Sequence, residues 1–129
     1  MKMHREMIKR YTRHLTSGMG VAEDDPMADL AQFDRDIHSM AAQARSEGNL
    51  DWLRLSLDAL VANPGDRLRL FADFVYPFTE AELRTLFAYA FQQTWPDQEL
   101  SEPGEEADLD FVGMSDEEWD AIINPEEMF

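Results

Sequence analysis

Apolar residues recur every three or four positions along most of the chain, which is the spacing of amphipathic helices. Residues 3–15 predict an N-terminal helix whose apolar face consists of Met3, Met7, Ile8, Tyr11 and Leu15. The next stripe predicts a helix that starts at Pro26 with Asp25 as its cap, because proline is favoured at the first helical position. This helix should end at Gly48, since glycine readily adopts the left-handed conformation that follows many helices.

The middle of the chain predicts two more helices. Asn49 can cap the first of them, and the turn sequence Asn63-Pro64-Gly65 should end it. Residues 66–76 carry apolar side chains at helical spacing and predict the second, which Pro77 should stop because proline does not continue a helix.

The strongest local signals are two capping boxes. Thr79 and Glu82 have the spacing of a box that starts a helix, and Pro96 closes that helix. Ser115 and Glu118 repeat the device and predict a short acidic helix near the end of the sequence. An apolar pair placed as a hydrophobic staple flanks each box: Phe78 with Leu83, and Met114 with Trp119.

These elements predict an all-α fold, because no segment shows a convincing alternation of apolar and polar residues and β-branched residues are sparse. We expect a small bundle of about four core helices with a basic N-terminal helix and an acidic C-terminal arm that contains a short helix. The predicted division is 1–20 for the basic helix and a hinge, 21–96 for the helical core, and 97–129 for the acidic segment. Within that last segment, 97–113 is expected to be a solvated linker.

Charge is distributed unevenly along the chain. The formal net charge is −16, yet residues 1–14 sum to +4 and residues 97–129 carry 13 acids and no Lys or Arg. Direct binding to nucleic acid by most of the protein is disfavoured, because like charges repel. The basic N-terminal helix is expected to pack against the acidic remainder of its own chain or of a second copy in a homodimer. Contact with nucleic acid or an acidic membrane is the alternative.

The composition excludes several kinds of chemistry. With no cysteine the chain has neither disulfides nor thiolate catalysis, and no run of about 18 apolar residues exists to span a membrane. The basic start lacks the apolar region of a secretory signal, so we expect a cytoplasmic protein, with a mitochondrial transit peptide as the alternative. Neither a nucleophile elbow nor a phosphate-binding loop is present. We therefore expect a protein without enzymatic activity or a cofactor.

Two motifs resemble metal sites, and neither is convincing. Asp34 and His38 lie one helical turn apart, but the solvated, charged edge of a helix is the favoured explanation for them. The sequence from Asp108 begins like a calcium loop, yet its fifth and twelfth positions are Val112 and Trp119 instead of oxygen ligands. No metal is predicted.

The acidic segment 97–129 retains aromatic and aliphatic residues that a purely solubilising tail would not need. We expect it to contact a partner protein through these residues: Asp108, Asp110, Asp116, Glu117, Glu118, Trp119, Asp120, Ile122, Ile123, Glu126, Glu127 and Phe129. The alternatives are that it docks back onto the core of its own chain or that it is a disordered, solubilising tail. Its last four residues are similar to the acidic tips of bacterial single-stranded-DNA-binding proteins.

The leading functional hypothesis is an inhibitor that presents an acidic face to the basic surface of a nucleic-acid-binding protein, as DNA mimics of the anti-defence type do. Carboxylates three or four residues apart on a helix suit this use, because they lie roughly 5–6 Å from one another. The alternative is a regulatory adaptor, assembly factor, antitoxin or immunity protein that docks its C-terminal helix into a partner's groove.

Overall fold

The computed structural model describes residues 1–16, 29–71 and 79–123, and most of them are helical. The predicted all-α fold class is confirmed. In chain order the elements are β1 (Lys2–His4), α1 (Arg5–Thr16), a 3₁₀ turn (Leu30–Phe33), α2 (Asp34–Ser46), α3 (Leu50–Ala62), a 3₁₀ turn (Leu68–Phe71), α4 (Glu80–Thr94), β2 (Asp110–Val112) and α5 (Asp116–Ile123). No helix in the described part of the chain is both long and apolar enough to cross a membrane.

Helix α1 lies inside the bundle, where it packs mainly against α2, while α3 packs against α4. All five apolar residues predicted for its buried face are at most 1 % exposed. The sequence left open whether this helix packs on its own chain or on a second copy, and the structure shows its apolar face buried within its own chain. Burial of these side chains is what holds α1 in place, since an isolated helix of 12 residues is only marginally stable in water.

The predicted helix ends agree with the structure at several positions. Gly48 follows α2 with φ +77°, and Gly65 in the turn after α3 has φ +51°. At the start of α4, Thr79 Oγ1 accepts from the Glu82 N–H at 3.1 Å, and the Thr79 N–H donates to Glu82 at 2.9 Å. Asn49 precedes α3 as predicted, but its side chain does not cap the helix.

Other boundaries differ from the predictions or lie outside the described residues. The segment 66–76 contains a 3₁₀ turn over Leu68–Phe71 and no α-helix within its described part, because the Leu70 N–H bonds to the Arg67 carbonyl three residues back. The helix predicted from Pro26 to Gly48 is wrong at its start, since Asp29 is extended and caps the 3₁₀ turn, and α2 begins only at Asp34. Pro26 itself and the staple residue Phe78 lie outside the described residues.

A short parallel strand pair was not predicted. Strand β1 pairs with β2 in a register that places Met3 opposite Phe111. The expectation of a solvated linker over 97–113 is wrong at residues 109–112, since Leu109 is 5 % and Phe111 is 7 % exposed. The residues from Ala107 to Phe111 do alternate between apolar and acidic, but this run is short and the acidic composition around it favoured a linker.

Candidate functional site

The described part of the acidic segment, residues 97–123, is called here the acidic arm. Its first attachment to the bundle is Asp58 of α3, a carboxylate that is only 6 % exposed. Asp58 accepts a hydrogen bond from the Ser101 backbone N–H at 2.7 Å and another from the Ser101 hydroxyl at 2.6 Å. The buried charge thereby acquires two donors from the arm, and the arm is fixed where it leaves α4.

Arg67 forms the second attachment. Its guanidinium donates to the Leu109 carbonyl of the arm at 2.9 Å and to the Asn63 carbonyl beyond α3 at 2.6 Å. The same group lies over the Phe111 ring, 5.2 Å from the ring centroid. A planar cation with several donors can join backbone carbonyls and an aromatic face in this way, which an ammonium group cannot.

The pairing of β1 with β2 forms the third attachment, which joins the acidic arm to the first residues of the chain. The Met1 amino group donates to the Asp108 carbonyl at 2.7 Å, and the Asp110 N–H donates to the Met1 carbonyl at 2.8 Å. Both acidic side chains remain exposed. The backbone of this part of the arm is thus paired, whereas its carboxylates face solvent.

Asp116, the first residue of α5, ties the arm to α1. It accepts from His4 Nε2 at 2.8 Å and from Arg10 at 3.2 Å, although its side chain is 73 % exposed. His4 is buried, and its Nδ1 accepts from the Met7 N–H at 3.3 Å, so Nε2 carries the hydrogen. The hydrogen bond from His4, together with the charge of Arg10, holds the pKa of Asp116 below its ordinary value of 3.8.

Helix α5 packs through Trp119, which is 3 % exposed. Its ring meets that of Trp52 on α3 edge-on, at 5.4 Å between centroids and 82° between planes. The indole N–H of Trp119 has no hydrogen-bond acceptor among the described residues. The predicted capping box is present, because Ser115 Oγ accepts from the Glu118 N–H at 3.1 Å. Trp119 therefore belongs to the core of this chain.

The carboxylates of the acidic arm are mostly on the surface. Ten of its 11 acids are exposed, and the arm contains no Lys or Arg. The half-buried exception is Glu106, which accepts from the Gly104 N–H at 2.6 Å. Backbone hydrogen bonds, with a contribution from the nearby Arg67, lower the pKa of Glu106.

The residues predicted to contact a partner thus fall into three groups. Exposed members are Asp108, Asp110, Asp116, Glu117, Glu118, Asp120 and Ile122, which is 39 % exposed. Trp119 is buried, and Ile123 is half-buried against the core. Glu126, Glu127 and Phe129 lie outside the described residues.

A cleft of about 540 Å³ lies between α1, α5 and the start of α3. One wall carries the aromatic residues Trp52 and Trp119, and carboxylates from two elements, Glu47 and Asp120, border it. On the Glu47 side, the buried Tyr11 donates its hydroxyl hydrogen to Glu47 at 2.6 Å. Desolvation, followed by this hydrogen bond, raises the pKa of Tyr11.

The Asn49 amide completes that network by donating to the Tyr11 hydroxyl at 2.9 Å. Sequence patterns missed this cleft because its walls come from segments as far apart as α1 and α5. The half-buried Trp52 near the start of α3 was the one local signal that could have suggested it.

The candidate metal motif has a structural role. Asp34 accepts a hydrogen bond from the Tyr89 hydroxyl at 2.6 Å and so links α2 to α4. This bond raises the pKa of Tyr89 to about 12. Within the described ranges no three His, Asp or Glu side chains are grouped so that they could hold a metal ion.

Comparison of the chain with protein-family models, with curated proteins and with solved structures finds no match.

Proposed function

We propose that the protein binds another protein through the carboxylates of its acidic arm, and that the partner's matching surface is a basic surface that otherwise binds nucleic acid. The observation that carries this proposal is the attachment of the arm along its length, through Asp58, Arg67, β1 and the His4–Asp116 pair. Charges that are already in place lose little conformational freedom on binding, whereas a free tail would have to be ordered.

The spacing of the carboxylates on α5 supports the same proposal. Glu117 and Asp120 are three residues apart, so their side chains lie roughly 5–6 Å from each other on the helix surface. Lys and Arg side chains that neutralise phosphates would meet a comparable row of negative charge. Opposite charges accelerate such an encounter and make it sensitive to salt.

Burial of Trp119 favours the acidic surface over groove docking by α5. The groove hypothesis needs this indole as an anchor for the partner, but in the structure it packs on Trp52. Releasing it would expose a large aromatic side chain and open the core, which is costly. Ile122 alone offers too little apolar area to replace it.

The test is affinity capture from the native cell with three baits: the wild-type chain, an arm variant and a matched control. The arm variant is Glu105→Gln with Glu117→Gln, and the control is Asp66→Asn with Glu80→Gln, which removes two exposed acids outside the arm. We expect a basic protein whose affinity falls roughly tenfold for the arm variant, since each exposed ion pair contributes about 0.5–1 kcal/mol. Equal weakening by both variants, or an affinity that salt does not change, would overturn the proposal.

A further inference from the structure

We infer that the cleft between α1, α3 and α5 receives an arginine side chain of the partner protein. This inference rests on the proposed function and assigns the position where one basic residue of the partner inserts. The cleft is about 540 Å³ in volume, which accommodates such a side chain with part of its backbone. Its lining combines an aromatic wall with carboxylates.

The charges around the cleft leave a net negative site. Arg10 also borders it, but its guanidinium is paired with Asp116 at 3.2 Å. Asp120, one turn further along α5, has no hydrogen bond or ion pair with any described residue. Glu47 adds a second carboxylate from the α2–α3 connection. Because Arg10 is neutralised within the chain, Asp120 and Glu47 are the groups that remain to attract a cation.

The polar neighbours of Glu47 do not remove its charge. Its two carboxylate oxygens accept from the Tyr11 hydroxyl at 2.6 Å and from the Gln43 amide at 3.3 Å. Both donors are uncharged groups, so they orient the carboxylate and leave it negative. The N-terminal end of α3 borders the cleft as well, and Asp51 in its first turn offsets the positive end of the helix dipole.

The aromatic wall selects the kind of cation. Trp52 is half-buried and lines the cleft together with Trp119, which it meets edge-on. A guanidinium group stacks on an indole ring and pairs with a carboxylate through two parallel hydrogen bonds. An ammonium group is not planar, so it forms neither the stacking contact nor the two parallel hydrogen bonds. Arginine is also a residue that nucleic-acid-binding surfaces use for phosphates, which agrees with the proposed partner.

The experiment observes the tryptophan indole N–H signals of the isotope-labelled full chain by NMR during titration with N-acetyl-arginine methylamide. The chain has three tryptophans, and Trp95 serves as an internal control because it packs on Phe91 and does not line the cleft. We expect saturable shifts of the Trp52 and Trp119 signals and no shift of Trp95. The corresponding citrulline compound, a neutral analogue of nearly the same shape, should cause none.

Two variants test the assigned groups. Asp120→Asn should weaken binding of the arginine compound by about threefold or more, whereas Asp66→Asn, which removes an exposed charge away from the cleft, should leave it unchanged. Trp52→Leu keeps the apolar bulk and should abolish saturation. Equal shifts with the citrulline compound, or equal weakening by the two aspartate variants, would overturn the inference.

The same variants separate this inference from the proposed function. If partner binding depends on Glu105 and Glu117 but not on Asp120 or Trp52, the cleft assignment fails and the proposed function stands. If the arginine compound binds as expected but the arm variant captures every protein as well as the wild type does, the proposed function fails and the cleft stands.

Discussion

His4 and Asp116 are 112 residues apart in the chain, and the imidazole of the first donates a 2.8 Å hydrogen bond to the carboxylate of the second. The other ring nitrogen of His4 accepts from the Met7 N–H in the first turn of α1. One buried side chain therefore stabilises the start of α1 and fixes the start of α5. This relationship explains how an acidic segment becomes part of the folded domain.

Asp116→Asn should destabilise the protein in a pH-dependent way. Because the pKa of Asp116 in the folded state is below 3.8, its contribution is full above that value and is lost as the pH falls through the folded-state pKa. We expect a loss of about 0.5–1 kcal/mol near neutral pH, a small value since the side chain is mostly exposed, and none once the pH is below the folded-state pKa of Asp116. Urea unfolding over a pH series measures this. Glu117→Gln is the matched control, because it removes an exposed acid of the same helical turn that is not the partner of His4 or Arg10.

Arg67→Met should loosen the acidic arm. The variant keeps an apolar stem but leaves the Leu109 and Asn63 carbonyls without their donor, so we expect a loss of about 1.5–3 kcal/mol in urea unfolding. Hydrogen exchange should quicken at β2. Arg35→Met is the matched control, because Arg35 is exposed on α2 and should tolerate the change. Unaltered exchange at β2 in Arg67→Met would show that this guanidinium does not hold the arm.

The main effect of Trp119→Ala should be a loss of folding stability, not the loss of a contact with the partner. Removing a side chain that is 3 % exposed leaves a cavity beside Trp52, and the expected loss is about 3–5 kcal/mol. Ile122→Ala on the exposed side of α5 should cost less than about 0.5 kcal/mol. Thermal unfolding of both variants measures the contrast. Similar melting temperatures for the two would place Trp119 outside the core.

Asp34→Asn should change the alkaline titration of one tyrosine. The hydrogen bond to Asp34 raises the pKa of Tyr89 to about 12, so its stabilising contribution is complete below the ordinary value of 10 and is lost as the pH rises through 12. In the variant Tyr89 should ionise closer to 10. Ultraviolet absorbance of tyrosinate measures the change, and Asp66→Asn should leave the curve as it is. A Tyr89 pKa that stays at 12 in Asp34→Asn would exclude this hydrogen bond as its cause.

The features that could be predicted from the sequence are those determined by residues close together in the chain. The Thr79–Glu82 box and Gly48 act within one helical turn, and the buried face of α1 follows from its own spacing. Such signals are complete within a few residues, so a pattern can detect them.

The docking of the acidic arm depends on contacts across the chain, which no local pattern contains. The partner of Arg67 is a backbone carbonyl 42 residues away, and the partner of Asp58 lies 43 residues away. Composition indicated a solvated linker because seven of the 17 residues from 97 to 113 are acidic. Two buried residues, Leu109 and Phe111, nevertheless determine the position of its backbone. The cleft at Trp52 was not predicted either, because its walls come from segments that are far apart in the chain.

We propose that the carboxylates of the acidic arm occupy the surface with which a basic partner binds nucleic acid. Competition measures this most directly: labelled double-stranded DNA is bound to the captured partner, and its fluorescence anisotropy is followed as the protein is added. We predict that the wild-type chain displaces the DNA, and that the Glu105→Gln, Glu117→Gln variant requires roughly tenfold more protein. A complex in which the partner holds the DNA and this protein together would show that the two do not share a surface on the partner.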